Sequence, residues 1–191
     1  MRSYTLLLGL LLLIGALHAC APVIVAGAGT AAVAAHDRRT FGAFVDDQTI
    51  EIKVRNAVQS DETLRNEAHV NVTSMNGIVL LTGEVPTSES HDRLLALARS
   101  VAGIRQIANE IRVAPRSTFG GRSHDTWLTT KVKTKLVRVD ELDSTRVKVV
   151  TENDVVYLLG LVTRNEAELA TEAARTVGGV ARVVKRFEYV D

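Results

Sequence analysis

The chain has 191 residues, 46% of them hydrophobic and 24% charged, a composition that fits a globular protein of one or two small domains. A formal net charge of +1 excludes the broad basicity of a nucleic-acid binder, and aromatics at 4% leave little for base stacking. The single cysteine, Cys20, excludes any intramolecular disulfide.

The N-terminus comes first. Met1 to Thr5 carries one positive charge, at Arg2, and Leu6 to Ala16 is an unbroken apolar run of eleven residues. At about 1.5 Å per residue that run is too short to cross a bilayer. A charged start, a short apolar run and small residues describe a secretory signal over residues 1–19. Leu17-His18-Ala19-Cys20 then resembles the bacterial lipobox, with His18 a departure from the usual pattern. The resemblance implies cleavage before Cys20, a covalent acyl anchor on its sulfur and amine, and, with Ala21 rather than an aspartate following, sorting to the outer membrane. An uncleaved membrane helix over Leu6 to Ala35 is the poorer reading, given its glycines and Pro22. Gly27-Ala28-Gly29-Thr30-Ala31-Ala32 approaches the dinucleotide fingerprint but has no βαβ unit around it. Residues 20–45 therefore read as a lipidated cysteine followed by a small-residue tether.

The remainder repeats itself. QTIEIKVRNAVQSDETL after Asp47 lies over TWLTTKVKTKLVRVDEL after Asp125 at an offset of 78, Gly83 aligns with Gly160 at 77, and Gly103 with Gly179 at 76. Two units follow, 46–114 and 125–191, joined by a linker over 115–124. Each copy predicts helix, strand, strand, helix, strand. Copy one opens on a helix with Ile50, Val54 and Val58 on one face. Val70 and Val72 alternate into the turn Asn76-Gly77, a strong hairpin signal, and Asn153-Asp154 holds that place in copy two. Ile78 to Leu81 and Val155 to Leu159 are apolar enough for central strands buried on both faces, with Gly83 and Gly160 expected at their ends. Helices then carry Leu94, Leu95, Ala98 and Val101, or Ala167, Ala170, Ala174 and Val177, the latter opened by a capping box from Thr163 to Glu166. They stop at Gly103 and Gly178-Gly179, and alternating strands close each copy. The expected fold class is α+β: two helices packed on one face of a three-stranded sheet, made twice.

Copy two opens with a predicted helix over Asp125 to Val139, with Asp125 as its N-cap. Leu128, Val132, Leu136 and Val139 form a core-facing stripe, and Trp127, Lys131, Thr134, Lys135 and Arg138 form an adjacent face. That face holds the only tryptophan of the chain among cations, the chemistry of a water–anionic lipid boundary. Copy one serves as an internal control. It repeats the core stripe but has Thr49, Ala57 and Ser60 opposite Trp127, Lys135 and Arg138, so the fold does not require this face.

The helix, V-x-V, G-x-V-x-L-x-G-x-V and A-R-x-V-x-G-V pattern resembles the BON domain. Two such domains behind a lipobox cysteine resemble the dual-BON outer-membrane lipoproteins, over the whole chain to Asp191. Asp154, where the family has glycine, is a departure confined to a turn. The resemblance implies a non-enzymatic lipoprotein on the periplasmic face of the outer membrane. The resemblance further implies that its second BON domain binds anionic phospholipid through its first helix and that the protein supports envelope integrity at division sites. The expected phospholipid-binding residues are Trp127, Leu128, Lys131, Thr134, Lys135 and Arg138, with Cys20 as lipid anchor. Expected partners are the anionic membrane and outer-membrane assembly or division proteins. No nucleic acid, small-molecule substrate, metal or cofactor is expected. His36, His69, His91 and His124 lack metal-ligand spacing, and His124 beside Asp125 has no nucleophile motif with it. Two alternatives stay open: a periplasmic scaffold that uses the same helix or a sheet edge to hold an envelope protein, and a Trp127 that covers the junction between the copies.

Overall fold

The structure, a computed structural model, describes residues 38–191. The signal, Cys20, the glycine-rich segment and His36 lie outside the described residues.

Copy one begins with α1 (Phe41–Ser60), a short α2 (Glu62–Glu67), the hairpin β1 (His69–Met75) and β2 (Ile78–Val85), then α3 (Ser88–Arg99) and β3 (Gln106–Val113). Copy two follows with α4 (Phe119–Leu136), a 3-10 turn (Ser144–Arg146), β4 (Lys148–Glu152), β5 (Val155–Val162), α5 (Arg164–Arg175) and β6 (Arg182–Tyr189). Each copy is thus the expected helix–strand–strand–helix–strand unit, with one helical turn added before the hairpin.

The leading helices start earlier than expected. Thr118, not Asp125, is the N-cap of α4: its Oγ1 accepts from Gly121 N–H at 3.2 Å, as Thr40 Oγ1 accepts from Ala43 N–H at 3.1 Å in α1. Much of the expected linker is therefore the first turn and a half of α4. Asp125 sits inside the helix and is buried. Its two oxygens accept from the backbone N–H groups of Asn153 and Asp154, each at 3.0 Å, so it holds the β4–β5 turn. Asp47 is its counterpart, accepting from Asn76 N–H at 2.7 Å, Gly77 N–H at 2.8 Å and Ser74 Oγ at 2.6 Å. Burial alone would raise the Asp47 pKa, but these bonds and the Arg39 guanidinium outweigh it and hold the carboxyl below its ordinary range.

The middle strand of each sheet is the second of the hairpin, antiparallel to the first and parallel to the last, in the orders β1-β2-β3 and β4-β5-β6. Asn76 and Gly77 both take positive φ, 51° and 75°, as do Asn153 and Asp154, 50° and 61°, the geometry of a two-residue hairpin turn. Gly83 and Gly160 do not end their strands as expected; they lie within β2 and β5. A Cβ on Gly160 would fall 2.3 Å from the Arg146 carbonyl oxygen, so the neighbouring chain crosses where no side chain fits.

Alternation along β2 and β5 explains their continuous apolar run. Val79, Leu81 and Val85 face α1 and α3 in one core, while Val156, Leu158 and Val162 face α4 and α5 in the other. The opposite faces meet: Met75, Leu80 and Ala108 of the first sheet pack against Tyr157 and Leu159 of the second, flanked by Val150, Val155 and Val184. The layers run helices, sheet, sheet, helices. Polar pairs rim this joint. Asn76 Nδ2 donates to Glu188 Oε1 at 2.8 Å, and Asn153 Nδ2 donates to Glu84. Lys148 Nζ donates to Glu51 Oε1 at 2.8 Å, and Arg186 pairs with Glu110.

Candidate functional site

The outer face of α4 is set by what its inner face must do. Leu128, Val132 and Leu136 are fully or almost fully buried and fix the helix on the second core. Leu128, expected among the lipid-contacting residues, is 0% exposed; it belongs to the core and is not available to a ligand. The other five, Trp127, Lys131, Thr134, Lys135 and Arg138, do come together. They line one side of an open cleft of about 320 Å³, with Thr130, whose other wall is Thr176, Val177 and Gly178 at the exit of α5. That wall was not anticipated, although Gly178-Gly179 was legible as a helix stop. Gly179 has a φ of +106°, and a Cβ there would sit 3.5 Å from Leu128 Cδ1, so the exit loop packs in van der Waals contact with α4.

Trp127 is 53% exposed and takes no part in the joint between the copies, which is built by the sheets. The reading that it covers that joint is corrected accordingly. Its ring is tilted against His124, with centroids 5.5 Å apart. Lys131 Nζ stands 4.2 Å from the indole centroid and donates to the Gly178 carbonyl oxygen at 2.6 Å. One cation is thus already fixed, as a strut that holds the indole and the exit loop together. Lys135 and Arg138 stand exposed at the other end of the cleft, Arg138 in the turn just beyond the last helical residue, Leu136.

Sequence reasoning missed the length of the face. At 100° per residue Thr126, Phe119, Val137, Thr130, Thr134 and Trp127 fall within about 100° of one another, opposite the core. Phe119 is 79% exposed and Val137 70%. The three threonines bond backward along the helix: Thr126 Oγ1 donates to the Arg122 carbonyl at 2.9 Å, Thr130 to that of Thr126 at 3.0 Å and Thr134 to that of Thr130 at 2.8 Å. Their hydroxyls are turned to the backbone, which leaves the methyls outward. The strip is therefore more apolar than its residue names imply. Thr40-Phe41-Gly42 and Thr118-Phe119-Gly120, again at an offset of 78, carried the signal for this extension.

Among the described residues no group of three or more His, Cys, Asp or Glu could hold a metal ion, and no helix is long and apolar enough to cross a membrane.

The BON domain family matches the chain twice, over residues 46–115 and 124–191. The chain is 43% identical over 185 residues to the outer membrane lipoprotein DolP of Haemophilus influenzae, covering 95% of this chain and 96% of that protein. It is 40% identical over 154 residues to the 21 kDa hemolysin of Actinobacillus pleuropneumoniae, covering 81% and 79% of the two chains. Osmotically-inducible protein Y of Escherichia coli is 29% identical over 145 residues, covering 74% and 72%. With two BON domains in tandem and DolP matched along nearly its whole length, the chain belongs to the BON family as a homologue of a non-enzymatic outer-membrane lipoprotein.

Proposed function

We propose that this outer-membrane lipoprotein homologue is anchored by acylated Cys20, binds anionic phospholipid through the outer face of α4, and supports envelope integrity at division sites. The observation that carries the reading is a half-exposed Trp127 beside Lys131, Lys135 and Arg138, of which the other copy of the same fold matches only Lys131, with Lys53. Each cation near an anionic surface contributes about 1 kcal/mol, so the three give about 3 kcal/mol before any burial of the indole. Alone that corresponds to roughly millimolar affinity. It suffices for a tethered domain, whose effective concentration at the bilayer is already of millimolar order. The anchor keeps the protein at the membrane, and α4 selects the lipid and sets the orientation.

Vesicle flotation of a chain starting at Ala34, which keeps Arg38 and Arg39, tests the lipid contact apart from the anchor. Binding to anionic but not zwitterionic vesicles is expected, reduced at least tenfold in Trp127→Glu. Equal binding to both vesicle types, or to neither, would sink the reading. For the anchor, Cys20→Ala in the full chain abolishes palmitate labelling; persistent labelling would refute acylation there.

A second reading, a scaffold for an envelope protein, is favoured by a different surface. Phe41, Val45 and Ile52 stand exposed on the outer face of α1, in the layer opposite α4. On that reading Ile52→Glu impairs the envelope, seen as detergent sensitivity of cells, without changing flotation.

A further inference from the structure

Copy one again supplies the control, this time at the joint. Met75 closes β1 as Glu152 closes β4, each at the same register of its hairpin, Met75 opposite Ile78 and Glu152 opposite Val155. Met75 is buried in the apolar cluster between the sheets. The fold therefore accepts an apolar side chain at this position, yet copy two puts a carboxyl there, 4% exposed.

That carboxyl is half satisfied. Glu152 Oε2 accepts from Asn71 Nδ2 at 2.7 Å and lies 3.4 Å from Thr82 Oγ1, both from copy one. Oε1 has no hydrogen-bond partner among the described residues. It borders a polar cleft of about 240 Å³ between the copies, lined also by His69, Asn71, Arg122, Asp125 and Thr129. The groups facing it come from three elements. From β1, His69 Nε2 is 3.6 Å from Oε1, but burial lowers the His69 pKa, so near neutrality it is no counter-ion. From β2, Glu84 is a carboxylate: burial pushes its pKa up, and bonds from Asn153, Arg112 and Ser117 outweigh that and hold it low. From α4 come buried Asp125 and the cation Arg122, which is engaged with the Ser117 carbonyl. Burial, with the like charges of Glu84 and Asp125, pushes Glu152 up to about 7, against the bonds from Asn71 and Thr82.

We propose that Glu152 is a proton-operated latch between the two domains: the neutral acid keeps the joint closed, and the carboxylate loosens it, drawing Arg122 of α4 into the cleft. Protonated, the carboxyl carries no charge for Glu84 and Asp125 to repel and leaves no buried anion short of a donor. Ionised, it is a buried anion with no donor on one oxygen, and the cationic side chain that lines the same cleft is Arg122. The latch does not depend on what the outer face of α4 touches. Because the folded pKa lies above the ordinary 4.5, the stability it contributes is complete below pH 4.5 and is lost as pH rises through about 7.

The test uses the full chain in detergent micelles, with glutamate carboxyls isotope-labelled for NMR, from about pH 5.5 to about pH 8.5. One carboxyl resonance is expected to titrate near pH 7 and to be missing in Glu152→Gln, which imitates the neutral acid. Across the same range the wild-type unfolding midpoint falls by several degrees relative to that of Glu152→Gln, and hydrogen exchange at Asn71 and Asn153 rises more in the wild type. A Glu152 carboxyl that titrates below about pH 5, or stability curves of the two proteins that run parallel, would overturn the proposal. So would a titration near pH 7 with unchanged exchange at the joint. Should Glu152→Gln not fold, Glu152→Met takes its place, since Met75 already fills the equivalent position; the carboxyl titration needs no variant.

Discussion

Asp47 and Asp125 face the same problem and solve it identically. A hairpin turn with two residues at positive φ leaves backbone N–H groups pointing at the leading helix, and a buried carboxylate there gathers them. From the sequence Asp125 reads equally well as a helix cap, because cap and turn-holder share a chemistry and differ only in where the helix began. Asp154 shows the reverse case. Its place in the repeat was legible, and its φ of 61° has a cost that glycine avoids. Asp154→Gly is expected to stabilise the protein by about 0.5–1 kcal/mol, read as a higher urea midpoint. The contact it gives up, 3.3 Å to His124 and half-exposed, contributes little. Gly160→Ala acts the other way, since its Cβ would press on the Arg146 carbonyl; a loss of about 2 kcal/mol or more is expected in the same assay.

Among elements, α4 divides most sharply into inner and outer duties. Leu128→Ala removes a fully buried side chain from the second core and is expected to cost about 3 kcal/mol in urea unfolding, with flotation unchanged in the folded fraction. Lys135→Ala leaves stability within about 0.5 kcal/mol and weakens flotation several-fold. The element types were legible because their periods are strong: Ile50, Val54 and Val58 recur at helical spacing, and Val70 and Val72 alternate. The helix starts were not. Gly120-Gly121 opposes helix by propensity, and Phe41 and Phe119 point to solvent, so neither first turn adds to an apolar stripe. Threonines that turn their methyls outward were likewise hidden, because residue names do not state which way a hydroxyl is bonded.

For the whole molecule, the apolar second faces of β2 and β5 called for a partner that one copy alone does not contain; that the partner is the other copy's sheet follows only from the fold. Both hairpin turns reach across the joint, Asn76 to Glu188 on the last strand of copy two and Asn153 to Glu84 on the middle strand of copy one, so equivalent turns find different partners. A second pH dependence lies away from the joint, at Glu166. Burial would raise its pKa, but the Thr163 N–H, Arg38 and Arg146 outweigh this and pull it down to about 2. Stability from this group is therefore present above pH 4.5 and lost as pH falls through about 2. Arg38→Ala is expected to cost about 1 kcal/mol at pH 7, allowing for solvent screening, and less at pH 3, by comparison of urea midpoints.

The same Arg38 has a mechanical meaning. It precedes α1 of copy one, yet its guanidinium is bonded to Glu166 Oε2 at 2.5 Å and to the Leu161 carbonyl at 3.3 Å, both in copy two. The chain ahead of copy one is thus clipped to the head of α5. Tension arriving from the N-terminal side is therefore divided: Arg38 hands it to copy two at Glu166, and Arg39, ion-paired with buried Asp47 at 2.6 Å, hands it to copy one, so neither copy is peeled alone.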